Sequence, residues 1–320
     1  MRAYLIRRLL LIIPTLLLVT IVVFFTIRLI PGSVVEQMLW ENMGGAKDIV
    51  DALEGIKHKL GLDVPIHIQY LRWMGNIILH GDLGKSLWTS TPVSDEIVDR
   101  LPVSFELGLL GIAIALLIAL PVGMYSAIRQ DTIGDYIARS FAIICIAVPS
   151  FWLGTLVMVY PSIWWNWTPP MDYVPFLENP IANLGMFIIP ATILGMALSG
   201  LTMRMTRTMM LEVLRQDYIR TAWSKGLRER VVIMRHTLKN ALIPVVTLIG
   251  LQLPVVIGGS VVIEQIFLLP GIGRLLVEAI GSRNYTILSG INLFMATFVL
   301  LANLLVDLTY AYFDPRIRYK

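Results

Sequence analysis

Histidine, cysteine and charge are all scarce in this sequence. A single cysteine, Cys145, lies inside an apolar run, which excludes an intramolecular disulfide and marks the thiol as a plain buried side chain. The four histidines are His58, His67, His80 and His236; none falls within an apolar run and none has HExxH spacing. No serine therefore has an embedded imidazole base, and neither a catalytic nor a metal site is expected. Only 15% of the 320 residues are charged against 56% hydrophobic, and mean hydropathy is +0.73. That balance lies far from a soluble domain and makes lipid the expected solvent. No nucleic-acid partner is expected.

What the chain has instead is long apolar runs. Six stretches lack Asp, Glu, Lys and Arg: residues 9–27, 107–128, 140–171, 179–203, 240–263 and 284–306. Each is long enough, at about 1.5 Å per residue, to cross a hydrocarbon core of roughly 30 Å. The expected fold is an all-α membrane protein of six transmembrane helices. The third run exceeds one span, and its tail WWNWTPP reads as an interfacial aromatic belt followed by a loop. The first run is too long for a cleavable signal and lacks a small-residue cleavage site.

Basic residues set the orientation. With the N-terminus inside, the inner segments hold Arg2, Arg7, Arg8, Arg129, Arg139, nine residues within 204–239, and Arg316, Arg318 and Lys320. The short outer loops hold Arg274 and Arg283. Both termini and the 204–239 insert are thus expected in the cytoplasm. The chain divides into a cytoplasmic N-terminus and first helix (1–28), an extracytoplasmic segment (29–102), and a five-helix core (103–320).

The outer segment carries ten acidic and six basic residues. Its GDLGKS stretch suggests a phosphate-binding loop, but Leu79 stands where that motif needs glycine. Two readings remain: a cap whose acidic surface, including Asp95, Glu96 and Asp99, receives a soluble partner, or a folded loop with none.

Inside the runs, prolines and small residues recur in AVPSFWLG and ALIPVVTLIGLQLPVVIGGS. Pro149, Ser150, Gln252, Pro254, Gly258 and Gly259 either line a translocation path or serve helix packing. Glu106, Glu264 and Asp307 border the runs and read as interface residues, which argues against an ion-coupled secondary carrier.

The insert YIRTAWSKGLRERVVIMRHTLKNALIP is basic and helix-like. Met210, Leu211, Leu214, Tyr218 and Ala222 recur at helical steps, so one amphipathic helix is expected there, with Arg207, Arg215 and Arg220 carrying charge. Arg207 is placed on a lipid-facing approach. Gly226 permits a turn, and a second short helix bearing Arg228, Arg235 and Lys239 leads back to the bilayer. The residues alone allow either a helix-turn-helix projecting from the membrane or an amphipathic hairpin resting on anionic lipid.

YIRTAWSKGL followed by RHTLKNALIPVVT resembles the cytoplasmic signature loop of ABC-importer permeases, in the form carried by the dipeptide and oligopeptide permease family. YLIRRLLLIIPTLL, LGLDVPIHIQYLRW, GDLGKS, RLPVSFELGLLG, VPSFWLG, IEQIFLLPGIGRLL and FDPRIR are similar to that family's B-type subunit, in order along nearly the whole chain. The general signature has Glu-Ala-Ala, three residues, then Gly; here Arg220, Thr221 and Ala222 stand for the triplet and Gly226 keeps its place. At the later Ile-x-Leu-Pro, His236, Leu238 and Lys239 appear, and the nearest proline is Pro244.

The resemblance implies half of a translocation path, paired with a paralogous permease as a heterodimer. Two ATPase subunits would hold ATP and Mg, and an extracytoplasmic substrate-binding protein would deliver cargo. It implies no cofactor and no catalysis on this chain. Tyr218, Arg220, Thr221, Ala222, Lys225 and Gly226 would form the ATPase-coupling element, with Ala222 facing the ATPase groove. Peptides are the implied cargo; relatives carrying nickel, glutathione or oligosaccharides keep those alternatives open.

Overall fold

The structure, a computed structural model, describes residues 2–29, 63–170 and 172–313, with side chains omitted at 2–9, 255–259 and 307–313. Expectations placed on 30–62, Gly258, Gly259, Asp307 and the terminal DPRIR fall outside the described residues or side chains.

Helices account for most of it: α1 (Arg2–Arg28), α2 (Ile66–His80), α3 (Val93–Ile128), α4 (Ile133–Ala147), α5 (Ser150–Trp165), α6 (Pro180–Leu214), α7 (Asp217–Ser224) and α8 (Glu229–Val231). A π-helical segment, Val232–Leu238, joins α8 to α9 (Lys239–Gly259); α10 (Val261–Ile266), α11 (Ile272–Gly281) and α12 (Tyr285–Phe313) follow. Among the described residues, β structure is limited to one isolated bridge, Lys85 to Pro92.

Among the described residues, five helical stretches are long and apolar enough to cross a membrane: Leu10–Arg28, Val93–Ile128, Pro180–Leu214, Glu229–Pro254 and Tyr285–Val306. The run 140–171, expected as one span, is instead split between α4 and α5, which meet at 88°. Proline explains the break. Pro149 has no N–H to donate and its ring disfavours α geometry at the preceding residue; Val148 is extended (φ −81°, ψ 120°). The spans also outgrow their charge-free cores: α3 has 36 residues and α6 has 35, about 54 and 52 Å at the standard rise. Both therefore project well beyond hydrocarbon.

The chain forms two compact units. The first comprises residues 1–102 and 270–300. Ile27, Val93, Ile97, Ile272, Leu275, Ile287 and Ile291 are buried together there. Aromatic contacts of Phe24 with Tyr70 and Trp73 hold α2 to α1, assisted by the Thr20 and Tyr70 hydroxyls at 3.0 Å and by Arg28 Nε donating to Gln69 Oε1 at 3.1 Å. The GDLGKS turn is structural. Asn284 Nδ2 donates to the buried Ser86 Oγ at 2.9 Å, and Trp88 Nε1 donates to the Ser282 carbonyl at 2.9 Å.

The second unit comprises residues 103–269 and 301–320. Its core gathers Val103, Leu107, Met186, Phe187, Leu194, Leu198, Ile263, Phe267 and Leu269. Small residues let its helices approach closely: a Cβ on Gly195 would lie 2.8 Å from the Gly111 carbonyl oxygen, and one on Gly200 2.7 Å from that of Ala142. Cys145 is buried in this packing, as expected.

Candidate functional site

The basic insert folds as a hairpin built from the end of one long helix and the start of the next. A single amphipathic helix across 210–222 is not formed. α6 ends at Leu214, Gln216 is extended (φ −74°, ψ 147°), and the helix restarts at Asp217. The spacing explains the break. On one continuous helix Leu214 and Ile219 would point about 140° apart, yet Val213, Leu214, Ile219 and Ala222 all pack around the fully buried Val232. Interrupting the helix lets both halves bury their apolar sides.

Gly226 closes the hairpin in a left-handed conformation, φ +74°. Its N–H donates to the Trp223 carbonyl at 2.9 Å and the Leu227 N–H to that of Ala222 at 3.3 Å. This pair of bonds is the Schellman pattern, which satisfies the last carbonyls of α7. The return limb is continuous with the following span: α8 passes through the π-helical turn directly into α9, so no separate second short helix exists. Thr237 Oγ1 donates to the Val232 carbonyl at 3.1 Å within that turn. Asn240 Nδ2 donates to the Tyr218 hydroxyl at 3.1 Å, tying α7 to the root of α9.

The expected coupling residues separate into two sets. Tyr218, Arg220, Thr221, Lys225 and Gly226 are exposed, as are Trp223 and Leu227. Ala222 faces inward, 8% exposed, against Ile219 and Val232; it does not present itself to a partner as expected. The Arg220–Asp217 pair, 3.6 Å apart and open to solvent, contributes little.

Two turns before the hairpin the structure holds a cluster that sequence reasoning missed. Arg207 is not lipid-facing. Its guanidinium grips Asp135, with Nε donating to Oδ1 at 2.9 Å and Nη2 to Oδ2 at 2.8 Å. Ser126 Oγ donates to the same carboxylate and accepts from Arg207 Nε at 3.0 Å; the Asp131 N–H adds a bond of 3.1 Å. Asp135 is fully buried, and a buried carboxylate is tolerable only when so satisfied. The cluster joins α3, α4 and α6 at one point. Thr132, whose hydroxyl accepts from the Asp135 N–H at 3.4 Å, makes Thr-x-x-Asp a legible helix start; the partner 72 residues later has no local signal.

Glu264 is a second correction. Expected at an interface, it is fully buried, with Ser104 Oγ and Ser260 Oγ each donating to Oε1 at 2.8 Å. Glu106 is half-buried and accepts from Asn183 Nδ2 at 3.2 Å.

Among the proposed path residues, Pro149 and Ser150 form the bend between α4 and α5. Gln252 is buried, with Nε2 3.5 Å from Thr202 Oγ1 on α6, and Pro254 is half-buried within α9. The described residues hold no cluster of His, Cys, Asp and Glu suited to a metal ion.

Long apolar helices, one sharply bent helix pair and an exposed hairpin between two candidate spans define a polytopic α-helical membrane protein. Comparison with known proteins makes the class specific. Residues 119–319 match the family of binding-protein-dependent transport system inner membrane components, and residues 1–108 match that family's N-terminal region. The chain belongs to this family and is a membrane permease component. It is 40% identical over 323 residues to the oligopeptide transport system permease protein AppB of Bacillus subtilis, and 38% identical over 343 residues to the dipeptide transport system permease protein DppB of Escherichia coli K12; both alignments cover the whole of each chain. A crystal structure of an amino acid ABC transporter with histidines aligns over 70% of this chain and 95% of its own, with a TM-score of 0.51 and 12% identity. That likeness establishes the ABC permease fold.

Proposed function

We propose that this chain is one of two membrane subunits of an ATP-driven importer of di- or oligopeptides. The full-length relatedness to permeases named for peptide transport supports the cargo class. The exposed, Schellman-closed hairpin is the observation that carries the mechanism: a short helix fixed to α6 on one side and α9 on the other would convert a push at its surface into movement of both helices. A paralogous permease completes the path, two ATPase subunits bind ATP and Mg and dock on the hairpin, and a soluble binding protein delivers peptide from outside. In this reading α4 and α5 together form one bent span, giving six, and both termini are cytoplasmic, in keeping with the distribution of Arg and Lys.

The test is reconstitution of the complete complex in proteoliposomes with its binding protein and labelled di- and oligopeptides. Uptake that requires ATP, the binding protein and an intact hairpin is expected. Uptake by the permease alone, driven by an ion gradient, would overturn the reading.

A further inference from the structure

A half-open cleft of about 370 Å³ lies between α3, α4 and α6. Its walls are apolar, from Val122, Ala142 and Met203, and three guanidiniums reach it from Arg139, Arg204 and Arg207. Only one of the three is neutralised. Arg207 is paired with Asp135; Arg139 has its guanidinium 5.6 Å from the Tyr136 ring, and among the described residues no carboxylate lies within ion-pair distance of Arg139 or Arg204. The cleft therefore carries two uncompensated positive charges over a greasy floor.

Its depth in the membrane can be read from three helices independently. The charge-free run of α3 ends at Ile128, that of α4 begins at Ser140 immediately after Arg139, and that of α6 ends at Met203 immediately before Arg204. All three change from apolar to basic around this cleft, which places it at the boundary between hydrocarbon and headgroups. A basic pocket between helices at that level suits a lipid phosphate, and the volume lies within the range of small-molecule sites.

We propose that the cleft binds the phosphodiester headgroup of an anionic phospholipid, with Arg139 and Arg204 as the direct phosphate contacts. Arg207, held by Asp135, shapes the back of the site without supplying net charge. The orientation reading above decides only which leaflet provides the lipid; the site itself does not depend on it, nor on peptide transport.

The experiment is native mass spectrometry of the purified full-length chain with its copurifying subunits, titrated with phosphatidylglycerol, with phosphatidylcholine and with inorganic phosphate. Arg139→Gln/Arg204→Gln should weaken the tightest phosphatidylglycerol binding about thirty-fold, and Arg204→Gln alone about fivefold, while Arg139→Lys/Arg204→Lys stays within a few-fold of the unmodified protein. Phosphatidylcholine, whose choline cation offsets its phosphate charge, should bind more weakly than phosphatidylglycerol and lose less on either substitution. Arg204 is exposed and its side chain has no partner that folding would need, so the single variant stays interpretable if the double one is unstable. Phosphatidylglycerol affinity unchanged within twofold in Arg204→Gln and in the double variant would overturn the proposal. Arginine-dependent binding of inorganic phosphate that displaces phosphatidylglycerol would overturn it too, assigning the cleft to soluble anions.

Discussion

Arg207 and Asp135 form a two-bond ion pair, 2.9 Å and 2.8 Å, in which the carboxylate is wholly buried and the arginine side chain is one-fifth exposed. Such a pair adds little over an apolar replacement, but removing one partner leaves an uncompensated charge in a poor dielectric. Arg207→Ala should therefore cost about 3 kcal/mol, seen as a thermal unfolding midpoint several degrees lower for the purified complex. Asp135→Leu/Arg207→Met should recover most of that loss. Equal midpoints for Arg207→Ala and the parent protein would mean the pair carries no structural weight.

The exposed and buried sides of the hairpin make separable predictions. Ala222→Glu buries a carboxylate between Ile219 and Val232, so amide exchange across 217–232 should accelerate and ATPase association fall with it. Thr221→Glu, on the exposed side, should weaken association with no change in exchange. If Ala222→Glu left exchange as slow as in the parent, the inward packing of α7 would be refuted.

The hairpin was legible because its signals are local. A glycine between two basic amphipathic stretches announces a turn, and Gly226 does adopt a positive φ. The break at Gln216 is less visible, since Leu211, Leu214, Tyr218 and Ala222 fit a helical repeat; Ile219, buried beside Ala222 against Val232, lies off it. Pro149 is visible in the sequence, yet a count of charge-free residues does not reveal the 88° bend between α4 and α5, because that count ignores backbone donors. Asp135 with Arg207, and Glu264 with Ser104, are pairs 72 and 160 residues apart. Their meaning lies in tertiary contact, which periodicity does not carry.

Orientation can be tested with single cysteines in a Cys145→Ala background. Leu177 is 95% exposed in the α5–α6 connection and makes no cap contact, unlike Asn179, whose side chain accepts from the Ala182 N–H. Leu177→Cys should react with an impermeant thiol reagent applied to intact cells, and Glu229→Cys should not. Labelling at Glu229→Cys alone would invert the topology.

On the segment expected to lie outside, Asp95 and Asp99 are exposed, whereas Glu96 is engaged with Thr91 and lies 3.5 Å from Arg100. Charge reversal at Asp95 and Asp99 thus tests docking without disturbing an internal pair. Asp95→Lys/Asp99→Lys should lower stimulation of ATP hydrolysis by the binding protein, most strongly at low salt, with basal hydrolysis unchanged. Stimulation equal to the parent at every ionic strength would leave this surface without a partner.

Gly226 provides the sharpest test of coupling. A Cβ there would meet open space, with nothing within 4 Å, so substitution acts through backbone strain alone. At φ +74° a β-branched residue is strained by on the order of 1–2 kcal/mol, while asparagine tolerates the left-handed region better. Gly226→Val should therefore loosen the Schellman closure and shift α7, lowering peptide uptake per ATP hydrolysed severalfold in proteoliposomes, while expression and pairing with the second permease stay normal. Gly226→Asn should retain most of the coupling, which a bulk-driven effect would not allow. Full uptake per ATP in Gly226→Val would show that the shape of the hairpin is irrelevant to energy transfer and reduce the insert to a lipid-surface element.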